Sequence, residues 1–367
     1  MNLLHISDLH FGDKLGGYAV DELSTELPML ISRFPHFEGW LGHHYKALSA
    51  LHDFHRWFSR NHPHAPVLIT GDLTANGATA QFALASAYLN AGTGERNFGL
   101  DLGLMEWRRH TISGNHDKWP GSNRIVGRST TGWSTTFAEP FPIVAPPIEI
   151  RRGFAVRLLY IDTDDEVSPF GIDRILARGK FTKQLLALRD QIPPVADDEI
   201  RVLIMHHSLM PPPPESVAAD EATPANPSRF APMEIVGETR RVLDHFLVDY
   251  GIKVVMCGHL HVPRLTVYRA SNGTEANLVL EARCGTTTQR DHYPYELVRT
   301  MSSKRKLPPN SLIVHKVVER GRSLIWKSDI FWRNRSGRFV SSSEYNSTFL
   351  PGRLSAELQL LPSVRAH

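Results

Sequence analysis

Five short polar clusters recur along this chain, and each follows directly on an apolar run. They are Asp8-Leu9-His10, Gly71-Asp72, Gly114-Asn115-His116-Asp117, His206-His207 and Gly258-His259-Leu260-His261. The runs ahead of them include Leu3 to Ile6, Val67 to Thr70, Thr111 to Ser113, Val202 to Met205 and Val254 to Cys257. Runs of this length and β-branched character read as buried strands. Polar groups at the ends of separate strands converge on one rim of a sheet, where open α/β sheets hold their ligands. The side chains are carboxylate, carboxamide and imidazole, a mixed oxygen and nitrogen set suited to manganese, iron or zinc.

Each cluster alone has an ordinary reading. Asp8 and His10 are two apart, so in a strand they share a face, as many solvated pairs do. Gly71-Asp72 and Gly114-Asn115 are turn sequences, and one of His206 and His207 can be a packed histidine. Gly258-His259-Leu260-His261 is the most specific, with two imidazoles alternating after a glycine that permits close approach. Five such accidents, each at a strand end, are far less economical than one shared site.

Periodic segments lie between the clusters. Tyr45, Leu48, Leu51, Phe54 and Phe58 fall at helical spacing, as do Ile235, Val242, Leu243, Phe246, Leu247 and Tyr250 before a stop at Gly251. Phe181, Leu185, Leu186 and Leu188 predict a helix after a strand from Val156 to Ile161. Strand and helix alternate, which argues for an α/β layered fold. After His261 the texture becomes β-like, at Leu265 to Tyr268, Asn277 to Leu280, Ser311 to Val318 and Ser323 to Trp332, and predicts a second sheet there.

Composition excludes several classes. At 367 residues, with 41% hydrophobic and 22% charged residues, the chain can bury a sizeable core and is not a disordered segment. A net charge of +3 is no nucleic-acid signature, and Ser302-Ser303-Lys304-Arg305-Lys306 reads as a solvated loop. Two cysteines, Cys257 and Cys284, are too few for a disulfide framework and fit a reduced, cytoplasmic setting. No signal core or membrane-spanning run is expected.

Taken together, the clusters resemble the motif series of the calcineurin-like metallophosphoesterase superfamily: Asp-x-His, Gly-Asp, Gly-Asn-His-Asp/Glu, His and Gly-His-x-His. The resemblance runs from Leu3 to about His261 and continues through Arg283-Cys284-Gly285-Thr286, similar to a Gly-Thr turn of that family. It implies two facing β-sheets flanked by helices, in a domain over residues 1–335. Insertions are expected at about 11–44 and 208–232, and a C-terminal tail at 336–367. It implies two metal ions, manganese, iron or zinc, one held by Asp8, His10 and His261 and the other by Asn115, His206 and His259, with Asp72 shared. His206 is preferred over His207 because it directly follows the strand, leaving His207 to a supporting or substrate-facing role. Hydroxide held between two cations exists at neutral pH and attacks phosphorus. His116 would assist the leaving or non-bridging oxygen, with Asp117 orienting its ring.

The implied activity is hydrolysis of a small phosphate ester. Within the superfamily the chain looks similar to the bacterial cyclic-nucleotide phosphodiesterases. A phosphomonoesterase, a nuclease and a scaffold that has lost its ligands are the rivals; charge balance disfavours the nuclease, and a complete motif set disfavours the scaffold. His43, His44, Trp40 and Phe37 are candidates for the entrance, and Arg124 and Arg128 for substrate phosphate.

Overall fold

Four of the five apolar runs ahead of the polar clusters form strands in the computed structural model, and the fifth, Thr111 to Ser113, makes only an isolated bridge at Thr111. The structure describes residues 1–12, 42–90, 100–119, 131–136, 140–151, 154–194, 199–209, 234–289, 292, 294, 296, 307–320, 323–341 and 355–360. The first half of the chain holds β1 (Asn2–Ile6), α1 (Tyr45–Asn61), β2 (Val67–Ile69), α2 (Thr79–Leu89), α3 (Thr131–Thr136), β3 (Ile143–Val144), β4 (Ile148–Arg151) and β5 (Phe154–Tyr160). It continues with α4 (Ile172–Ile175), α5 (Thr182–Arg189), β6 (Glu199–Ile204), α6 (Gly237–Asp249) and β7 (Ile252–Cys257). The remaining strands are β8 (Arg264–Ser271), β9 (Ala276–Arg283), β10 (Ser311–Arg320), β11 (Ser323–Arg333), β12 (Phe339–Val340) and β13 (Ser355–Leu360).

These strands make two sheets, ordered β12-β11-β10-β1-β2 with β13 also on β11, and β3-β5-β6-β7-β9-β8 with β4 also on β5. β1 and β2 are parallel, and so are β5, β6, β7 and β9. The strands that precede the clusters therefore deliver their C-terminal ends to one edge of each sheet. Thr111 extends this edge, bridging in parallel to Ile69.

Strand alternation sorts the core into three slabs. Leu3, Ile313 and Trp326 from the first sheet meet Val156, Val202, Val254 and Leu280 from the second. On the outer face of the first sheet, Leu4 and Ile6 pack under Leu48, Leu51 and Phe54 of α1 and Phe82 and Tyr88 of α2. On the outer face of the second, Leu159, Leu203 and Val255 pack under Leu185 of α5 and Leu243 and Phe246 of α6. The result is helix, sheet, sheet, helix, as the α/β layered fold with two facing sheets requires.

The β-rich C-terminal third does not build a sheet of its own. β8 and β9 extend the sheet of β5 to β7, whereas β10 and β11 extend the sheet of β1 and β2. Both sheets begin with exposed parallel edges that need a partner, and the late strands supply one to each. β12 and β13, both beyond residue 335, pair antiparallel with β11. Helix α2 was not evident in the sequence, because its residues Thr79–Leu89 carry little one-sided pattern.

Two histidines, His5 and His315, lie wholly buried within the first sheet with ring centroids 5.5 Å apart. Burial pushes His5 down from 6.5 to about 3, and burial together with His5 pushes His315 well below its usual value. The folded state thus refuses protons that the unfolded chain accepts below about pH 6.5. Stability should fall as pH drops from about 6.5 toward about 3, and the slope should flatten in a His5→Gln, His315→Gln double variant. Urea unfolding at a series of pH values measures it; an unchanged slope would mean that other groups carry the acid sensitivity.

Candidate metal centre

All five clusters meet at the seam between the two sheets. Backbone hydrogen bonds lace their loops together: Asp8 N–H donates to Gly71 O at 3.1 Å, His10 N–H to Asp72 O at 3.0 Å, and Gly258 N–H to His206 O at 3.0 Å. Glycines permit this closeness at two points. A Cβ on Gly114 would press on the Asp72 carboxylate and lie 2.5 Å from its backbone nitrogen, and one on Gly258 would lie 2.5 Å from Asp8 Oδ2.

The cluster residues do not sit as alternating strand positions. Asp8, His10, Asp72, His259 and His261 all adopt positive φ, at 52°, 50°, 51°, 73° and 58°. Asp8 and His10 therefore do not share a strand face by their spacing of two, since these residues lie past the strand ends in left-handed backbone. That conformation costs a non-glycine residue energy and persists where surrounding structure enforces it, commonly at functional sites.

Donor atoms converge in two groups around Asp72. Asp8, His10, Asp72 and His261 each bring one ligand atom within 4.8 Å of the others. His10 Nε2 lies 3.0 Å from His261 Nε2, and His261 Nε2 lies 3.3 Å from Asp8 Oδ1. On the other side, Asn115 Oδ1 lies 3.1 Å from both His206 Nε2 and His259 Nδ1. His206 Nε2 is also 3.4 Å from Asp72 Oδ2, and Asp72 Oδ1 accepts the N–H of His116.

This donor set fits metal ions. Two ligands each about 2.1 Å from a common centre in tetrahedral array stand roughly 3.4 Å apart, close to these separations. Asp8 Oδ1, one of these converging atoms, is buried with no hydrogen-bond partner. A carboxylate oxygen orphaned in a protein interior is costly unless a cation joins it.

The adjacent histidines separate cleanly. His206 donates Nδ1–H to Thr70 O at 2.7 Å, which leaves Nε2 toward Asp72, where a proton or a metal ion can sit. His207 turns away, with Nδ1 2.7 Å from Thr163 Oγ1 and Nε2 3.1 Å from Ala177 O. Burial lowers both rings, but the Asp72 carboxylate outweighs it for His206 and carries that group up to about 10. His207, beside His206, is held at about 3. Charge is thus favoured at the His206 position and refused at its neighbour.

His116 sits at the rim, its side chain 12% exposed, with Nε2 4.0 Å from Asp72 Oδ2. Its Nδ1–H donates to Ala75 O at 2.8 Å, and its ring stacks on Trp119 at 3.9 Å between centroids. Asp117 does not orient it, contrary to the sequence expectation. The tight 3-10 turn His116–Lys118 points the Asp117 carboxylate the other way, where it accepts from Gly114 N, Leu73 N, Thr74 N and Thr74 Oγ1. Asp117 therefore clamps the loop that carries Asp72.

A second clamp was missed beyond the Gly-Thr pair. Thr286 Oγ1 donates to Asp8 O at 2.7 Å, Thr287 exchanges two hydrogen bonds with the Ser7 backbone, and Thr288 Oγ1 donates to Leu9 O. The run of three threonines was the available signal. His43 does not line an open entrance: it is fully buried and its Nδ1 accepts from Gly12 N, while His44 Nδ1 accepts from Lys46 N and caps α1. Trp40, Phe37, Arg124, Arg128, Lys304 and most of the expected insertions 11–44 and 208–232 lie outside the described residues. Among the described residues both cysteines are free and buried, and no helix is long and apolar enough to cross a membrane.

No curated protein sequence matches the chain. Solved structures that resemble it include a dimetal phosphatase from Danio rerio, with 12% identity, 99% of each chain covered and a TM-score of 0.47. Another is GAP50, the anchor in the inner membrane complex of Plasmodium, with 11% identity, 92% and 87% covered and a TM-score of 0.46. A third is the phosphopantetheinyl hydrolase of Mycobacterium tuberculosis, with 17% identity, 78% and 90% covered and a TM-score of 0.35. The family model for calcineurin-like phosphoesterases matches residues 1–263, which span every one of the five clusters. The chain belongs to the calcineurin-like phosphoesterase family and is a metal-dependent hydrolase of phosphoric esters.

Proposed function

We propose that the chain hydrolyses a small phosphodiester, such as a cyclic nucleotide, at a centre of two metal ions that share Asp72. The observation that carries this reading is the convergence of two donor groups on that one carboxylate. Asp8, His10 and His261 would hold one ion, and Asn115, His206 and His259 the other. Manganese, iron and zinc all suit such oxygen and nitrogen donors. When bound, a pair of such ions supplies an activated water at neutral pH and neutralises charge on the phosphoryl oxygens.

The chain's own residues do the remaining work. His116 keeps its Nδ1 proton on Ala75 O, so Nε2 is the atom that faces the substrate. Burial holds the ring below its ordinary imidazole value, so its protonated form is a ready acid that hands the Nε2 proton to the departing oxygen as charge builds there. Trp119 against one face of the ring and His10 across its edge restrict the angle of that transfer. Asp117 and the threonine run fix the loops, so the donors are arranged before substrate arrives.

Metal content tests the ligand division. His206→Ala should lose one of two ions, whereas His207→Ala should retain both, because His207 spends both nitrogens on Thr163 and Ala177. The reverse order, measured by metal analysis after dialysis, would place the ligand one residue later. For the substrate, a panel is assayed with manganese restored after chelation: chromogenic mono- and diesters, cyclic nucleotides and single-stranded DNA. Faster turnover of diesters and cyclic nucleotides is expected. A preference for the monoester or for DNA would replace the phosphodiesterase reading with another of the same family.

A further inference from the structure

A line of hydrogen-bonding side chains crosses the inner face of the first sheet, from β11 through β10 and β1 to the end of β2. It comprises Trp326 and Ser328, then His315, His5 and Thr70, all wholly buried. By alternation with Leu3, Ile313 and Ile330 these side chains face the core between the sheets. Phenylalanine would fill the histidine positions without burying polar atoms, so the polar pair calls for a physical reason.

The direction of the line follows from its first donor. An indole N–H can only donate, so Trp326 Nε1, 3.3 Å away, requires a lone pair on His315 Nδ1; Ser328 Oγ, at 2.8 Å, meets the same atom. Burial keeps this ring neutral, which puts its proton on Nε2. Nε2 faces His5 Nδ1 at 3.4 Å, so His5 in turn carries its proton on Nε2, 3.0 Å from Thr70 Oγ1. One tryptophan thereby sets the tautomer of two histidines on two other strands.

The line ends on a residue that touches the metal centre. Thr70 is held by its N–H on Ile6 O and by its hydroxyl on His5, and its carbonyl accepts Nδ1–H of His206 at 2.7 Å. We propose that His5 and His315 are positioning residues for the reaction: the ladder fixes Thr70, and the Thr70 carbonyl holds the His206 ring with Nε2 toward Asp72 and Asn115. The proposal rests on the reading of His206 as a metal ligand. Groups that orient a ligating histidine commonly change metal affinity about 10- to 100-fold when removed.

The test titrates metal-free protein with manganese, resolves the two dissociation constants, and records the thermal midpoint alongside. His5→Phe and His315→Phe should weaken one ion about 10- to 100-fold and leave the other unchanged. His5→Gln, which restores a donor toward Thr70, should return that constant to within about threefold of wild type. Trp326→Phe, which removes the first donor but keeps an aromatic, should weaken the same ion and covers the case of a histidine variant that does not fold. Unaltered affinities in the phenylalanine variants overturn the proposal. Equal weakening of both ions with no rescue by glutamine also overturns it, because a merely loosened core would do that. His206→Ala is the control: if it loses one ion while the ladder variants lose none, only the ladder falls. If it keeps both, the ligand reading falls and takes the ladder with it.

Discussion

An Asp72→Asn protein is expected to fold, to bind fewer than two metal ions and to retain less than about one-hundredth of wild-type turnover. Among the described residues Asp72 faces both donor groups, with Oδ2 3.9 Å from His10 Nε2 and 3.4 Å from His206 Nε2. Its neighbours His206, His116 and His10 hold the buried carboxyl ionised against the cost of burial. The amide is nearly isosteric and tolerates left-handed backbone, so the fold survives while the negative charge between two cations is lost. Metal analysis and turnover, measured on the same preparation, check it. A variant with two ions and full activity would remove Asp72 from the centre.

His116→Ala should behave in the opposite way, keeping both ions while turnover drops about 100- to 10,000-fold. The distinction is one of position: His116 sits at the rim, whereas the proposed ligands His10 and His206 are wholly buried and each has Nε2 3.0 to 3.3 Å from a nitrogen of a second proposed ligand. A loss confined to kcat would mark an interaction formed only in the transition state. Loss of an ion from this variant would make His116 a ligand and redraw the division of roles.

The seven ligand candidates named from the sequence come together because the chemistry of the clusters and most of the strand runs before them are local signals. Helices α1 and α6 were legible for the same reason, having one apolar face each and, for α6, a stop at Gly251, whose φ is +61°. What was hidden depends on long-range pairing. Nothing in Leu265 to Tyr268 or Ser311 to Val318 says which sheet each will join, since both alternate alike. The role of Asp117 was misjudged because sequence adjacency suggested a contact with His116, while the turn sends successive side chains to different partners. The ladder of His5 and His315 was invisible, as its members come from strands about 310 residues apart.

The left-handed backbone at the centre carries a trade-off between activity and endurance. His261, at φ 58° with a side chain 19% exposed, keeps a conformation that costs an L-residue about 1 to 2 kcal/mol and that glycine adopts freely. In chelator, His261→Gly should melt roughly 1 to 2 °C above wild type, although it should be inactive. Added metal should reverse the ranking, because binding to the folded state alone raises the wild type by mass action. Selection of this chain for heat resistance without metal would therefore drift toward dead enzymes, and screens for robust variants need the ions present throughout.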